Sequence, residues 1–183
     1  MRKIDEQTKT APVLCDVAIE AMKEALLTLP WLDQAFGRAW PIPMKRGERQ
    51  VTEPCVYTKG DDYETLVPSS DLGNYSFIVL MDAARIDEGK VRQPFALVVW
   101  YDMRRCFDDG QNRRDTENLK KDVIDAVSSA TVRNGGVTLN RIMEMPKAVY
   151  KEFTFDTQNQ ALVQPFGAMR FEGEISMMTD CYE

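Results

Sequence analysis

The stretch RRDTENLKKDVIDAV, residues 113–127, holds side chains whose types and spacing could carry out chemistry. Carboxylates that converge on Mg²⁺ or Mn²⁺, with a lysine beside them, are the groups that act on phosphates in metal-dependent nucleases. The same side chains also suit an ordinary amphipathic helix with a favourable start. The candidate residues of a catalytic metal site are Asp115, Glu117, Lys121 and Asp125.

The order D-x-x-N-L-x-K-x-x-x-D, which runs from Asp115 to Asp125, resembles the motif of phage-type Holliday-junction resolvases. That resemblance implies a Mg²⁺-dependent nuclease in which Lys121 contacts the reacting phosphate. The chain departs from the family pattern in two ways. Glu117 stands where the family has an aspartate, and the further acidic pair that the family places downstream is missing. The corresponding segment, NGGVTLNRIMEMPK, has Glu144 as its only acid.

A structural helix accounts for the same residues. Asp115 suits the N-cap position, and Glu117 lies in the first turn, where a negative charge interacts favourably with the helix dipole. In one continuous helix Asp115 and Asp125 would lie ~15 Å apart along the axis, too far to share a metal ion. We therefore expect a structural helix that holds no metal. Its apolar stripe consists of Leu119, Val123, Ala126, Val127 and Ala130.

The composition excludes most catalytic classes. The chain has no histidine, which removes the commonest general base and the commonest transition-metal ligand. Its net charge of −6 disfavours a protein that coats nucleic acid, because phosphate contacts need clustered lysine and arginine. The sequence also lacks the glycine motifs that bind nucleotide phosphates. We expect no enzymatic activity and no cofactor.

The four cysteines form no C-x-x-C pair, and their spacing matches no zinc pattern. The cysteines could form a structural disulfide or remain as four free thiols in a reducing compartment, and we expect free thiols. No apolar run is long enough to span a bilayer, and MRKIDEQTKT is too polar for a signal peptide. We expect a protein that is made in a cytoplasm and does not enter a membrane. The cysteines are Cys15, Cys55, Cys106 and Cys181.

Hydrophobic periodicity predicts two main helices and several strands. Apolar residues recur with a helical period over residues 12–29, and the acidic stretch predicts a second helix that RNGG (133–136) stops. FGRAWPIPM reads as an extended edge segment, and EPCVYT as a short strand. YSFIVLMD and PFALVVWYD are typical of strands near the centre of a sheet. KAVYKEFTFD and MRFEGEISMM alternate with period two and predict a final strand pair.

These elements predict an α+β fold, with a mixed, mostly antiparallel sheet, two main helices packed on one face and long exposed loops. Residues 12–183 are expected to form a single α+β domain, and residues 1–11 a flexible N-terminal arm. The long loops are residues 59–74 and 102–114. Charged residues of the second loop are candidates for subunit contacts or for a surface that faces a lumen, namely Arg104, Arg105, Asp108, Asp109, Arg113 and Arg114.

The order of segments along the chain resembles that of head–tail connector and tail-terminator (tail-completion) proteins of tailed bacteriophages. The segments that carry the resemblance are an N-terminal helix ending in LLTLPWLDQAFGR, then FALVVWYD, the helix TENLKKDVIDAV, and the closing stretch YKEFTFDTQNQALVQPFGAMRFEGEISMMTDC. The resemblance extends over most of the chain, about residues 12–182. It rests on the order of the segments and on the types of residue in each, and not on one motif.

The resemblance implies a mixed α/β subunit that assembles head to tail into a ring of six or twelve copies in the virion, after synthesis in the host cytoplasm. Its expected partners are further copies of itself, a portal-side adaptor and tail proteins. DNA would pass through the lumen without sequence-specific binding, and the family has no catalytic residues to carry over. An acidic chain suits a channel wall that repels DNA.

Overall fold

The computed structural model describes residues 12–57, 63–107, 116–154 and 165–179. The arm predicted for residues 1–11 lies outside these ranges. The helices are α1 (Cys15–Leu26), α2 (Met103–Cys106), α3 (Glu117–Ser129) and α4 (Pro146–Val149). The strands are β1 (Gln34–Arg38), β2 (Trp40–Arg46), β3 (Arg49–Tyr57), β4 (Tyr63–Thr65), β5 (Tyr75–Leu80), β6 (Arg85–Asp87), β7 (Lys90–Asp102), β8 (Gly135–Met143) and β9 (Phe166–Met178).

The main sheet has the strand order β1-β5-β7-β9-β8, and β6 pairs with the first residues of β7. All of its pairs are antiparallel except β1 with β5. Strands β2, β3 and β4 form a smaller antiparallel sheet. The prediction of a mixed, mostly antiparallel sheet is confirmed. So is the central placement of β5 and β7, whose long apolar runs suit strands that are covered on both faces.

Helices α1 and α3 pack on the same face of the main sheet, as predicted. Each helix presents one apolar stripe, because its apolar residues recur every three or four positions. Alternate residues of β7 and β9 receive these stripes. The buried helix residues are Ala18, Ile19, Met22 and Leu26 in α1 and Leu119, Val123, Ala126 and Val127 in α3; the strand residues include Phe95, Leu97, Val99, Met169, Phe171 and Ile175.

The opposite face of the sheet is covered by α4 with the residues after it and by the smaller sheet. Its core is rich in aromatic rings. Trp100 stacks on Tyr75 with ring centroids 5.7 Å apart, and on Phe166 at 5.4 Å. Tyr150 and Phe153, which follow α4, are buried against the same cluster.

The predicted final strand pair is wrong in one member. The first three residues of KAVYKEFTFD, 147–149, belong to the short helix α4, and residues 150–154 continue without a strand. Pro146 begins this helix, a position that suits the fixed φ of proline. On the side of β9 away from β7, the antiparallel partner is instead β8, in the segment GGVTLNRIM. RNGG does not stop α3, which ends at Ser129; Asn134, with φ 59°, forms the turn into β8.

The predicted exposed loop at 59–74 is wrong in part, because some of its described residues form regular structure or are buried. Residues 63–65 form β4, which pairs with β3, and Leu66 and Asn74 are fully buried. A short 3-10 helix covers Ser70–Leu72. The segment between β5 and β7 contains a further strand, because β6 folds back on β7 as a hairpin.

Candidate functional site

The N-terminus of α3 is clamped by a lysine that the metal-site hypothesis did not use. Lys120 Nζ lies 2.6 Å from Glu117 Oε1 and 2.8 Å from Glu144 Oε2. The Thr116 hydroxyl donates to Glu144 as well, at 3.0 Å. Burial lowers the pKa of Lys120, but hydrogen bonds to Glu117 and Glu144 outweigh it and raise the pKa overall. These contacts tie the start of α3 to the turn between β8 and α4.

The other residues of the proposed metal site do not converge. Lys121 pairs with Asp125 on the exposed side of α3, and the hydrogen bond that Lys121 donates to Asp125 raises the pKa of Lys121. Glu117 and Asp125 lie eight residues apart on one helix, about 12 Å along its axis. Asp115 is outside the described residues. In the part of the chain that the structure describes, no three Asp, Glu, Cys or His side chains are grouped as metal ligands.

The predicted loop 102–114 is wrong at its start, because Asp102 is the last residue of β7 and residues 103–106 form α2. Two ion pairs fix this part of the segment. Asp102 binds the guanidinium of Arg104, with Nη2 at 2.6 Å from Oδ2, and also accepts from the Arg104 backbone N–H at 3.0 Å. The hydrogen bond from Arg104 lowers the pKa of Asp102. Arg105 pairs with Asp33 at 3.1 Å. The remaining candidates of this loop, Asp108, Asp109, Arg113 and Arg114, lie outside the described residues.

A buried asparagine holds this loop base in place. The Asn74 side chain donates to the Trp31 carbonyl at 2.7 Å and to Cys106 Sγ at 3.4 Å, and its Oδ1 accepts from the Asp102 N–H at 2.7 Å. Burial is the main cause that raises the pKa of the Cys106 thiol to about 12. The hydrogen bonds of Asn74 make this cluster structural, and they fix the backbone from which Arg104 and Arg105 extend.

The hairpin between β6 and β7 exposes the aliphatic side chain of Ile86. We call this side chain the hairpin patch. Ile86 is 78% exposed. The turn residues Glu88 and Gly89 have φ 45° and 76°, the geometry of a tight two-residue hairpin. The backbone N–H of Thr179 donates to the Gly89 carbonyl at 2.7 Å, and Gln93 Nε2 donates to the Met81 carbonyl at 2.6 Å. The hairpin is therefore held at both ends.

A second exposed apolar patch lies at the opposite edge of the main sheet, where β8 leads into α4. We call Ile142 and Met145 the turn patch; they are 39% and 74% exposed. Ile142 is opposite Phe171 on the neighbouring strand β9, and Phe171 belongs to the helix-side core. Cross-strand partners share a face, so Ile142 lies on the side of the sheet that carries α1 and α3.

An arginine in the alternating strand β9 is fully buried. Arg170 of β9 donates from Nη1 and Nη2 to the two carboxylate oxygens of Glu152, each at 2.5 Å, and from Nε to Glu172 at 2.9 Å. It also donates to the Val149 carbonyl at 3.2 Å. Lys151 approaches Glu172 at 2.7 Å. We call these four charged side chains the Arg170 network; it fastens α4 and the following residues to the sheet.

No protein-family model and no curated protein sequence matches the chain. Within the described ranges, no helix combines the length and the hydropathy that a membrane span requires. Sequence reasoning missed the hairpin patch, the turn patch and the Arg170 network. The hairpin had a signal in RIDEGKV, where Glu-Gly sits between two short apolar-centred segments; the Arg170 network depends on contacts between distant parts of the chain.

Proposed function

We propose that the protein is a structural subunit that assembles head to tail into a ring at the head–tail junction of a tailed bacteriophage, as a connector or tail terminator. The order of its segments resembles that family, and the family implies a mixed α/β subunit. The mixed fold with both main helices on one face agrees with this implication. The proposed activity is mechanical, since the ring joins parts of the virion and lets DNA through.

Two exposed apolar patches at opposite edges of one sheet are the observation that carries the proposal. A head-to-tail interface needs two different complementary surfaces on every subunit, so that one surface of each copy contacts the other surface of the next. The hairpin patch extends from β7 on its β5 side, and the turn patch follows β8, the strand at the far edge. Exposed aliphatic side chains on firmly held turns are suited to contacts that exclude water.

The separation of the patches allows one subunit to contact two neighbours. Strands β7 and β9 lie between β6 and β8, which places the two edges roughly 15 Å apart across the sheet. Along the strands, Ile86 is level with Val91 and Ile142 is level with Leu97, a difference of about 20 Å. Surfaces this far apart allow one subunit to bind two neighbours at once, and a closed ring of six or twelve copies satisfies both patches of every copy.

The charge of the chain agrees with a lumen through which DNA passes. A net charge of −6 repels phosphates over much of the surface, which suits transit better than capture. We propose that the loop 102–114, whose base is fixed through Arg104 and Arg105, contacts a neighbouring ring or faces this lumen. Its mixed Arg and Asp side chains would then set the register between copies through charge pairs.

The test is the native mass of the full chain over a range of concentrations, with particle imaging of the largest species. We expect a closed ring for the wild type. We expect Ile86→Lys and Met145→Lys each to abolish the ring, because a lysine in either patch places an unpaired charge in the interface. Leu27→Lys is the matched control, since Leu27 is 47% exposed just after the last residue of α1, outside both patches. Rings of unchanged mass in both patch variants would contradict the proposal.

A further inference from the structure

Strand β8 ends the main sheet, and no strand pairs with its outer edge among the residues that the structure describes. The backbone N–H of Met178 in β9 donates to the Asn134 carbonyl at 2.9 Å, just before β8 begins. Along antiparallel strands, residues whose backbone groups face the neighbouring strand alternate with residues whose groups face away. The irregularity between Leu139 and Arg141 shifts this alternation by one residue. The backbone groups that point away from β9 are therefore those of Gly135, Val137, Leu139 and Ile142.

The outer edge of β8 also has two chemically different faces. Val137 and Leu139 pack against the core on the side that carries α1 and α3, and Ile142 shares that side. Arg141 lies on the other face, and its side chain is 68% exposed. A strand that added to this edge would meet apolar side chains on one face and a positive charge on the other.

The backbone of β6 offers the groups that such an edge needs. Residues 88–89 form the two-residue turn of the hairpin, so Asp87 and Lys90 are the hydrogen-bonded pair that closes it. The next pair, Ile86 with Val91, is therefore not hydrogen-bonded across the hairpin. The N–H and C=O of Ile86 point away from β7, and in the described ranges β6 has no other partner strand.

The side chains of β6 are arranged as the edge of β8 requires. Ile86 is opposite Val91, and Val91 is opposite Met177 of the helix-side core, so Ile86 lies on the side that carries the two main helices. Asp87 lies on the other face and is exposed. Each strand therefore has an isoleucine with outward backbone groups on one face and a neighbouring charge on the other, and the two charges are opposite in sign.

We propose that β6 of one copy adds to the outer edge of β8 of the next copy as an antiparallel strand, with Ile86 opposite Ile142. This inference rests on the proposed head-to-tail assembly and names the contact that forms it. The two isoleucines exchange a pair of backbone hydrogen bonds, because both have outward N–H and C=O groups. Asp87 is then opposite Arg141, and unlike charges directly across two strands stabilise the pair.

Charge and space both select this register. If Ile86 were opposite Leu139 instead, Arg85 would lie beside Arg141, and like charges across two strands are unfavourable. In the proposed register, residues 135–139 of β8 extend past the turn of the hairpin. They point away from β5 of the neighbouring copy, which pairs with β7 on the other side of β6 along the strand.

Charge exchange in the full chain tests the register. Asp87→Arg and Arg141→Asp each place like charges opposite each other, so each should raise the concentration for half-assembly roughly tenfold. The double variant Asp87→Arg with Arg141→Asp restores unlike charges and should assemble within about twofold of the wild type. The matched control is Asp87→Arg with Arg133→Asp, because Arg133 precedes β8; it should assemble as poorly as Asp87→Arg alone. Native mass spectrometry over a concentration series measures all of these.

Hydrogen exchange of the wild type separates failure of this contact from failure of the ring. In the assembled protein the amides of Ile86 and Ile142 should exchange roughly tenfold more slowly than in the dilute monomer, because strand addition gives each amide an acceptor. The amide of Val137, past the hairpin turn, should exchange at the same rate in both states. Assembly without slower exchange at Ile142, or without rescue by the double variant, would overturn strand addition and leave the head-to-tail ring standing. A wild type that never assembles would overturn both.

Discussion

Two groups of charged side chains, one on α3 and one around Arg170, have very different environments. On α3, Lys121 and Asp125 form an ion pair with each other, and their side chains are 72% and 60% exposed. In the Arg170 network the guanidinium is fully buried, and Glu172 is only 12% exposed. The sequence drew attention to the first group through its motif-like spacing, whereas it gave no signal for the second group.

The comparison teaches that burial, more than spacing, decides what a charged residue contributes. An exposed ion pair gains little because water screens it and side-chain entropy opposes it. A buried arginine must have all of its donors satisfied, and the loss of either side leaves an uncompensated charge away from water. The Arg170 network thus determines how α4 and the aromatic residues after it cover the sheet, while the charges of α3 decorate a helix that its apolar stripe holds in place.

The largest effect is expected from Arg170→Met. Removal of the guanidinium leaves Glu152 and Glu172 facing a buried site, so the free energy of unfolding should fall by about 3–5 kcal/mol. Urea unfolding with a far-UV signal measures this change. Arg141→Met is the matched control, because Arg141 is 68% exposed and only 3.9 Å from the same Glu172; its effect should stay below about 1 kcal/mol. Equal effects of the two variants would remove the contrast between buried and exposed charge.

A slightly smaller loss is expected from Leu119→Ala in the apolar stripe of α3. Leu119 is 1% exposed in the helix-side core, and the cavity left by the substitution should cost about 3 kcal/mol. The same urea titration measures it. If Leu119→Ala lowered the free energy of unfolding by less than Lys121→Ala, the apolar stripe would not be what anchors the helix.

The pH dependence of stability should separate the two groups. Burial raises the pKa of Glu172, but hydrogen bonds from Lys151 and Arg170 outweigh burial, so that its pKa lies below the usual value. Stability from this carboxylate is therefore complete above the unfolded-state pKa and is lost as the pH falls through the lower folded-state pKa. The difference in unfolding free energy between wild type and Arg170→Met should shrink from pH 7 to pH 3.

The loss of unfolding free energy in Leu119→Ala serves as the reference in that pH series, because this substitution changes no titrating group. That cost should stay constant over the same range. If the difference in unfolding free energy between the wild type and Arg170→Met were equally constant with pH, Arg170 would not be what lowers the pKa of Glu172.

The smallest effect is expected from Lys121→Ala. The ion pair with Asp125 is exposed, so the free energy of unfolding should change by only about 0.3 kcal/mol. The same region tests the nuclease hypothesis. We expect no Mg²⁺-dependent cleavage of branched DNA by the wild type; cleavage that Asp115→Asn with Asp125→Asn abolishes would establish a metal site and contradict a purely structural α3.

Helical and strand periodicity was enough to predict α1, α3, β5, β7 and β9, because each of these elements buries an apolar stripe or a continuous apolar run. The segment KAVYKEFTFD misled the same reasoning. Its apolar residues alternate as in a strand, yet Val149, Tyr150 and Phe153 pack as a helical turn and its extension against Phe77 and Trp100. Tertiary packing overrode the local pattern.

The candidate surfaces depended on information that a linear pattern does not carry. Arg170 sits in an alternating strand beside Glu172 and Glu174, and only the distant segment after α4 turns its position into a buried one. The β8 strand begins with two glycines and has few buried residues, which gave it no clear strand signal. The two apolar patches were identified from the exposure of their side chains and from the order of the strands, and both are properties of the folded chain alone.

The most direct test of head-to-tail assembly is the mass of an equimolar mixture of Ile86→Lys and Met145→Lys subunits, measured by native mass spectrometry. Each variant keeps one intact patch of the two. If the hairpin patch of one copy contacts the turn patch of the next, each variant alone stays monomeric and the mixture forms dimers and nothing larger, while the wild type forms rings. Rings in the mixture, or a wild type that remains monomeric at every concentration, would contradict the account.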